Sequence, residues 1–241
     1  TLLKFWNSGN SLFIALEPDG PTLSPLLSKL NVALDRTSLA HGTRYMNPGR
    51  ALPIHKRNLI TNKFSTHASV TTLSRYNKVM ALVFEDAGSI DKIDGDAKVT
   101  TIIRSLEDTW KDSNDNLQQD DGEAKDLWSL GVAVEKNEND MASKAVIFSD
   151  ASWLTDSYLG KGLNIGKQTI QPHAILLSDT LFWLTDQKES SGTVNNELDV
   201  KIQHSKEGQG WIFFGTSILF PFFLFGIGRL RISSRTRGGT Q

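Results

Sequence analysis

Hydrophobic positions along the chain fall into short dense runs separated by polar stretches. Asn10-Ser-Leu-Phe-Ile-Ala-Leu16 lies between Gly9 and the turn sequence Pro18-Asp-Gly-Pro21, a pattern that predicts a buried strand between two turns. Ser24 stands where it would cap a short helix over 25–30, and Asn31-Val-Ala-Leu-Asp-Arg36 reads as the next strand. Further strands are predicted over 78–84, 99–104, 130–134 and 145–149, most of them rich in β-branched residues. Between Pro172 and Asp186, Ala174, Ile175, Leu176, Leu181, Phe182 and Leu184 recur at roughly helical spacing and predict a helix. Short buried strands mixed with helices make residues 1–186 an α/β layered domain with an antiparallel hairpin in its middle. Met46, Ile54 and Val70 stand isolated among Arg, Asn, Thr and His in residues 37–77, which are therefore expected as long surface loops.

The pattern changes after residue 186. Residues 187–210 form a hydrophilic linker, and the eighteen residues from Trp211 to Gly228 then carry no charge and hold six of the chain's 12 Phe. At ~1.5 Å per residue that run spans ~27 Å, and Leu230 can lengthen it while Arg229 and Arg231 reach back to the interface. One transmembrane helix over 211–230 is expected, with Trp211 as its outer-interface aromatic and 231–241 as a basic tail. Four Arg follow the run, whereas the residues just before it mix Lys201 and Lys206 with three acids, so the tail is expected in the cytoplasm and the bulk of the chain outside it. Pro221 at mid-span predicts a kink. Gly215, Thr216 and Ser217 beside it are small or hydroxyl-bearing, which suits close packing against a partner helix.

Composition narrows the chemistry. The 26 Lys and Arg against 27 Asp and Glu leave a net charge of −1 and no basic surplus of the kind nucleic acid requires. Zero Cys removes disulfides, thiolate nucleophiles and thiolate-bound metals together. The chain opens Thr1-Leu-Leu-Lys-Phe-Trp6, without Met or a charged leader, and reads as the C-terminal part of a longer protein.

Two groups of residues carry candidate chemistry. Asp112, Asn114, Asn116, Asp120 and Glu123 sit at positions 1, 3, 5, 9 and 12 of one window, the spacing by which a looped chain encloses Ca²⁺. Leu117 occupies the sixth position, where glycine is usual, so a solvated acidic hairpin is the other reading of the same loop. Asp150 ends the 145–149 strand, where open α/β sheets present ligand contacts, and Ser152 follows; the alternative role for Asp150 is a helix N-cap. Gly160-Lys-Gly-Leu-Asn-Ile-Gly-Lys167 fits neither phosphate-loop template: it is one residue too long for the dinucleotide fingerprint, and Gln168 replaces the Ser or Thr that follows the lysine in the other. The five His have no metal-ligand spacing and no G-x-S-x-G elbow exists, so the histidines are expected in loops or as caps.

Several segments, in order, resemble the gliding-motility-type auxiliary component of ABC transport systems (GldG-like). They are Phe5 to Gly20, Pro25 to Val32, Leu59 to Ser65, Ala145 to Asp150, Leu176 to Thr185, and the apolar run with its Arg-rich tail. The resemblance covers most of the chain, although Asn10 stands where the family's first turn more often has a second Gly. It implies an extracytoplasmic domain with a Rossmann-like or glutamine-amidotransferase-like core, held at the bacterial inner membrane beside ABC permease and ATPase subunits. Amidotransferase chemistry on such a core needs a nucleophilic Cys, which is missing.

The expectation is therefore a non-catalytic, membrane-anchored accessory subunit whose extracytoplasmic domain binds partner proteins or a transported substrate. No cofactor is implied beyond Ca²⁺ at the 112–123 loop. A ligand-sensing or cation-stabilised binding module is the alternative, and an enzyme acting on extracytoplasmic polymers through Asp150 is the third.

Overall fold

The computed structural model describes residues 1–187 apart from 22, 139–140 and 166–167, together with residue 218. Residues Thr1–Ser190 group as one unit and Ser191–Gln241 as another. In chain order the first unit begins with α1 (Leu2–Asn7), β1 (Ser11–Ala15), α2 (Ser24–Lys29), β2 (Val32–Asp35) and β3 (Leu39–His41). There follow β4 (Asn58–Thr61), β5 (Lys63–Phe64), α3 (Thr71–Arg75), β6 (Leu82–Glu85), β7 (Ser89–Lys92) and β8 (Lys98–Arg104). The rest comprises β9 (Thr109–Lys111), β10 (Lys125–Asp126), β11 (Ser129–Glu138), β12 (Met141–Phe148), α4 (Asp156–Leu159), β13 (Leu163–Ile165), β14 (Gln168–Ile170) and α5 (Pro172–Leu184).

The centre is a five-stranded sheet in the order β1-β12-β11-β8-β5. Its strands are apolar on both faces because both faces are covered. Val146 and Phe148 of β12 join Leu130 and Ala133 of β11 in one buried cluster with Leu73 of α3, Leu176 of α5, and Leu59 and Phe84 of the β4–β6 pair. The alternate residues Ala145, Ile147, Val132 and Val134 join Trp6 of α1, Leu26 and Leu27 of α2, and Val32 and Ile90 of the β2–β7 pair. Alternation along β12 thus feeds two separate cores, and in β11 the irregular register around Gly131 puts Leu130 in the same cluster as Ala133.

This architecture is mixed α/β with several sheets, and it corrects the Rossmann-like, glutamine-amidotransferase-like expectation. Only β1 and β12 run parallel in the central sheet, and β12–β11, β11–β8 and β8–β5 are antiparallel. The physical reason is that an antiparallel hairpin covered on both sides carries the same continuous apolar runs as a parallel strand. The transmembrane expectation is corrected too: among the described residues no helix is long and apolar enough to cross a membrane, and the longest, α5, has 13 residues. The linker 187–210 (beyond residue 187), the run 211–230 with Trp211, Gly215, Thr216, Ser217, Pro221 and Arg229, and the tail with Arg231 lie outside the described residues, Ile218 excepted.

Residues 37–77 differ from the expectation of open loops. β3 pairs with β9, β4 with β6 and β5 with β8, and Leu39, Leu59, Val70 and Leu73 are fully or almost fully buried. Leu39 and Leu59 find their neighbours on the distant strands β9 and β6, and Val70 and Leu73 theirs on helix α5.

Candidate functional site

β1 and β12 run side by side, so Leu16-Glu17 and Ser149-Asp150 emerge together at their C-terminal ends. Asp150 is fully buried there. One of its oxygens accepts the Glu85 backbone N–H at 2.8 Å and the other the Ser152 N–H at 2.7 Å. The bond to Ser152 is an Asx turn leading into the 3-10 turn Ser152–Leu154, whose N-cap position is Ala151 and carries no side-chain cap bond, and the same carboxyl also ties down the end of β6. Glu17 reaches over from β1 and accepts the Ala151 N–H at 3.0 Å and the Ser152 hydroxyl at 3.2 Å. Burial pushes the Asp150 carboxyl up to about 7, against the two N–H donors and with the nearby Glu17 charge adding to the rise. Tyr158 of α4 donates its hydroxyl to Glu85, and burial followed by that carboxylate pushes the phenol upward.

The next residue, Asp86, connects this cluster to the 112–123 loop. It takes a left-handed backbone conformation, φ +50°, and its N–H donates to the Arg57 carbonyl at 3.1 Å. Arg57 in turn reaches three carboxylates, Asp86 at 3.4 Å, the fully buried Asp112 at 2.7 Å, and Asp115. Burial opposes the charge on Arg57, but its bonds to Asp112 and Asp115 outweigh that and hold the guanidinium above its ordinary pKa.

The five loop residues selected by spacing are close together, but their oxygens are engaged. Asp112 accepts the Leu117 N–H at 3.2 Å as well as Arg57. Asn114 and Asn116 donate their side-chain amides to one oxygen of Asp120, at 2.7 and 2.6 Å, while their own oxygens accept the Asn116 and Gln118 N–H groups. Glu123 accepts the Ser113 N–H and hydroxyl at 2.8 and 2.7 Å, bonds that hold its carboxyl below the usual range. Leu117 adopts φ +59°, the left-handed conformation for which glycine is usual at this place. Two amides facing a carboxylate and a guanidinium against Asp112 do not fit a bound Ca²⁺, since the positive charge the loop needs is supplied from within by Arg57. Among the described residues no group of three or more His, Cys, Asp or Glu is arranged to hold a metal ion.

These two clusters flank an open cavity of about 430 Å³ whose walls include Pro18, Asp19, Asp35, Arg36, Asp86 and Asp112. Lys111 pairs with Asp35 at 2.6 Å, which outweighs the effect of burial and lowers that carboxyl. Five carboxylates, Asp19, Asp35, Asp86, Asp112 and Asp115, thus line it together with Arg36, and Arg57 and Lys111 pair with Asp112 and Asp35.

All four described histidines accept backbone N–H groups: His41 from Thr43 and Arg44, His55 from Leu52, His67 from Ser69 and His173 from Val83. Asp150 and Ser152 were legible as a pair at a strand end. Glu17, Glu85 and Arg57 were not, because the groups they bind lie 134, 65 and 55 positions away, too far for any local signal. Comparison of the chain with family models, with curated proteins and with solved structures finds no match.

Proposed function

We propose that the chain is a non-catalytic accessory subunit of an ABC-transporter-type complex, working on the outer side of a bacterial cytoplasmic membrane. Its 1–187 domain binds a partner protein or transported substrate through the acidic rim at the C-terminal end of the β1–β12 pair. The observation that carries this reading is the state of the rim carboxyl groups. Both oxygens of Asp150 and Oε1 of Glu17 are taken by backbone and hydroxyl donors of the chain itself, and those of Asp112 by Arg57 and Leu117. A general acid or nucleophile must instead reach substrate. What remains on the surface is a fixed arrangement of charge, with Asp86 55% and Asp115 78% exposed at the side chain, suited to steering a cationic group onto a preorganised face.

The resemblance supports the same reading in one further respect. Its segments at 5–20, 145–150 and 176–185 fall on α1, β1, β12 and α5, elements that pack on one another around the parallel pair. The test is affinity capture of the tagged chain from cells that carry the full gene. Permease and ATPase subunits should be recovered with it, and a charge-reversed rim, Asp19→Lys with Asp115→Lys, should lower their recovery while the domain's melting stays near normal. Hydrolytic turnover by the chain alone would overturn the proposal.

A further inference from the structure

The β4–β6 pair is apolar on both sides. Leu59, Leu82 and Phe84 face the main core and are at most 1% exposed. On the other side lie Ile60, which pairs with Val83, and Ala81 just before β6, all of them partly exposed. Tyr158, Pro172 and His173 border this outer face without filling it, and a partly open cavity of about 220 Å³ remains, lined also by Met46, Lys161 and Gly162. It is separate from the acidic rim, sharing none of its lining residues.

This border is held rigidly. His173 is 4% exposed, its Nε2 accepts the Val83 N–H at 3.0 Å, and its ring rests 5.2 Å from the Tyr158 ring, centroid to centroid. The Tyr158 hydroxyl is donated to Glu85. With Nε2 and the hydroxyl engaged, the two side chains offer ring surface and a single remaining polar atom, Nδ1 of His173. Among the described residues of the lining Lys161 is the one that carries a charge; it is exposed, with its ammonium 5.8 Å from the Tyr158 ring centroid.

An apolar cavity of ~150 Å³ stays dry and admits a benzene-sized molecule. This cavity exceeds that size, and its single cation stands at the exposed edge. A sugar or a dicarboxylate would find too few hydrogen-bond donors in such walls, and an organic cation would meet the ammonium. We propose that the cavity binds a small organic monocarboxylate whose apolar body, one aromatic ring or a short branched chain, packs against Ile60, Ala81 and Val83 while its carboxylate meets Lys161. The inference does not depend on the accessory-subunit reading, because it concerns a different face.

Phenylacetate is the probe, with phenylacetamide as its neutral counterpart, titrated into the methyl-labelled full chain at low ionic strength. Phenylacetate should shift the methyl resonances of Ile60, Ala81 and Val83 and bind about 5-fold more tightly than the amide, the ratio an exposed ion pair of ~1 kcal/mol supplies. Lys161→Met should erase that ratio, and Ala81→Phe, which fills the cavity, should abolish both titrations. The methyl shifts of the unaltered chain locate the probe even if Ala81→Phe fails to fold. Unchanged methyl resonances at millimolar phenylacetate, or equal affinity for acid and amide, would overturn the proposal.

Discussion

Arg57 meets Asp112 at 2.7 Å across 55 positions of sequence, and the carboxylate it meets has no exposed side-chain surface. Removing Arg57 leaves the buried Asp112 charge uncompensated, which typically costs ~3–5 kcal/mol, more than the pair itself contributes, whereas removing Asp112 leaves Arg57 with Asp86 and Asp115. Arg57→Met should therefore destabilise strongly in chemical denaturation, and adding Asp112→Asn should recover part of the loss. A double-mutant cycle with coupling below ~0.5 kcal/mol would mean that the two residues stand together without depending on each other.

Asp150 and His173 make pH act on stability in opposite directions over the same interval. Burial raises Asp150 to about 7, so from this group stability is greatest below the ordinary carboxyl pKa and is lost as pH rises from ~4 to about 7. Burial lowers His173 to about 4, so from this group stability is complete above ~6.5 and is lost as pH falls from there toward about 4. The two slopes offset each other in the natural chain. Urea denaturation across pH 4–8 should show Asp150→Asn gaining stability toward high pH and His173→Gln losing it. Parallel profiles for the three proteins would remove the linkage.

Gly88 sits where β6 turns toward β7, and a Cβ there would collide with the backbone carbonyl oxygen of Asp35. Since backbone cannot step aside as a side chain does, Gly88→Ala should cost ~1–3 kcal/mol. Gly49 has no heavy atom within 4 Å of the equivalent position, so Gly49→Ala should stay within ~0.5 kcal/mol. Thermal melts of the two variants give the comparison, and equal melting temperatures would contradict the close approach.

Which parts of this structure were readable in advance follows from the range of the interactions that make them. β1, β12 and α5 announced themselves because each is a dense apolar run whose burial depends on its own residues. Leu39, Leu59 and Leu73 gave no such signal, since each is embedded in polar sequence and becomes core only when β9, β6 or α5 arrives. Strand direction was legible only as an antiparallel hairpin in the middle of the domain: Val132 and Val134 read the same whether the sheet is parallel or antiparallel, and the β11–β12 pairing, with Glu138 opposite Met141, decides it. At the site, Asp150 was visible as a carboxylate ending a strand. The loop 112–123 was visible as an oxygen-rich window, but its internal cation was not, because Arg57 lies in a stretch that carries no pattern of its own.

Photo-crosslinking tests the proposed role of the acidic rim most directly. A photoreactive amino acid placed at Asp19, on the rim, should form a covalent adduct with a permease subunit in intact cells, and one at Asp94, toward the other end of the β2–β7 pair, should not. The adduct from Asp19 should diminish when Asp115→Lys is introduced. A rim position that yields no adduct, or the same adducts as Asp94, would contradict the assignment of that face to binding.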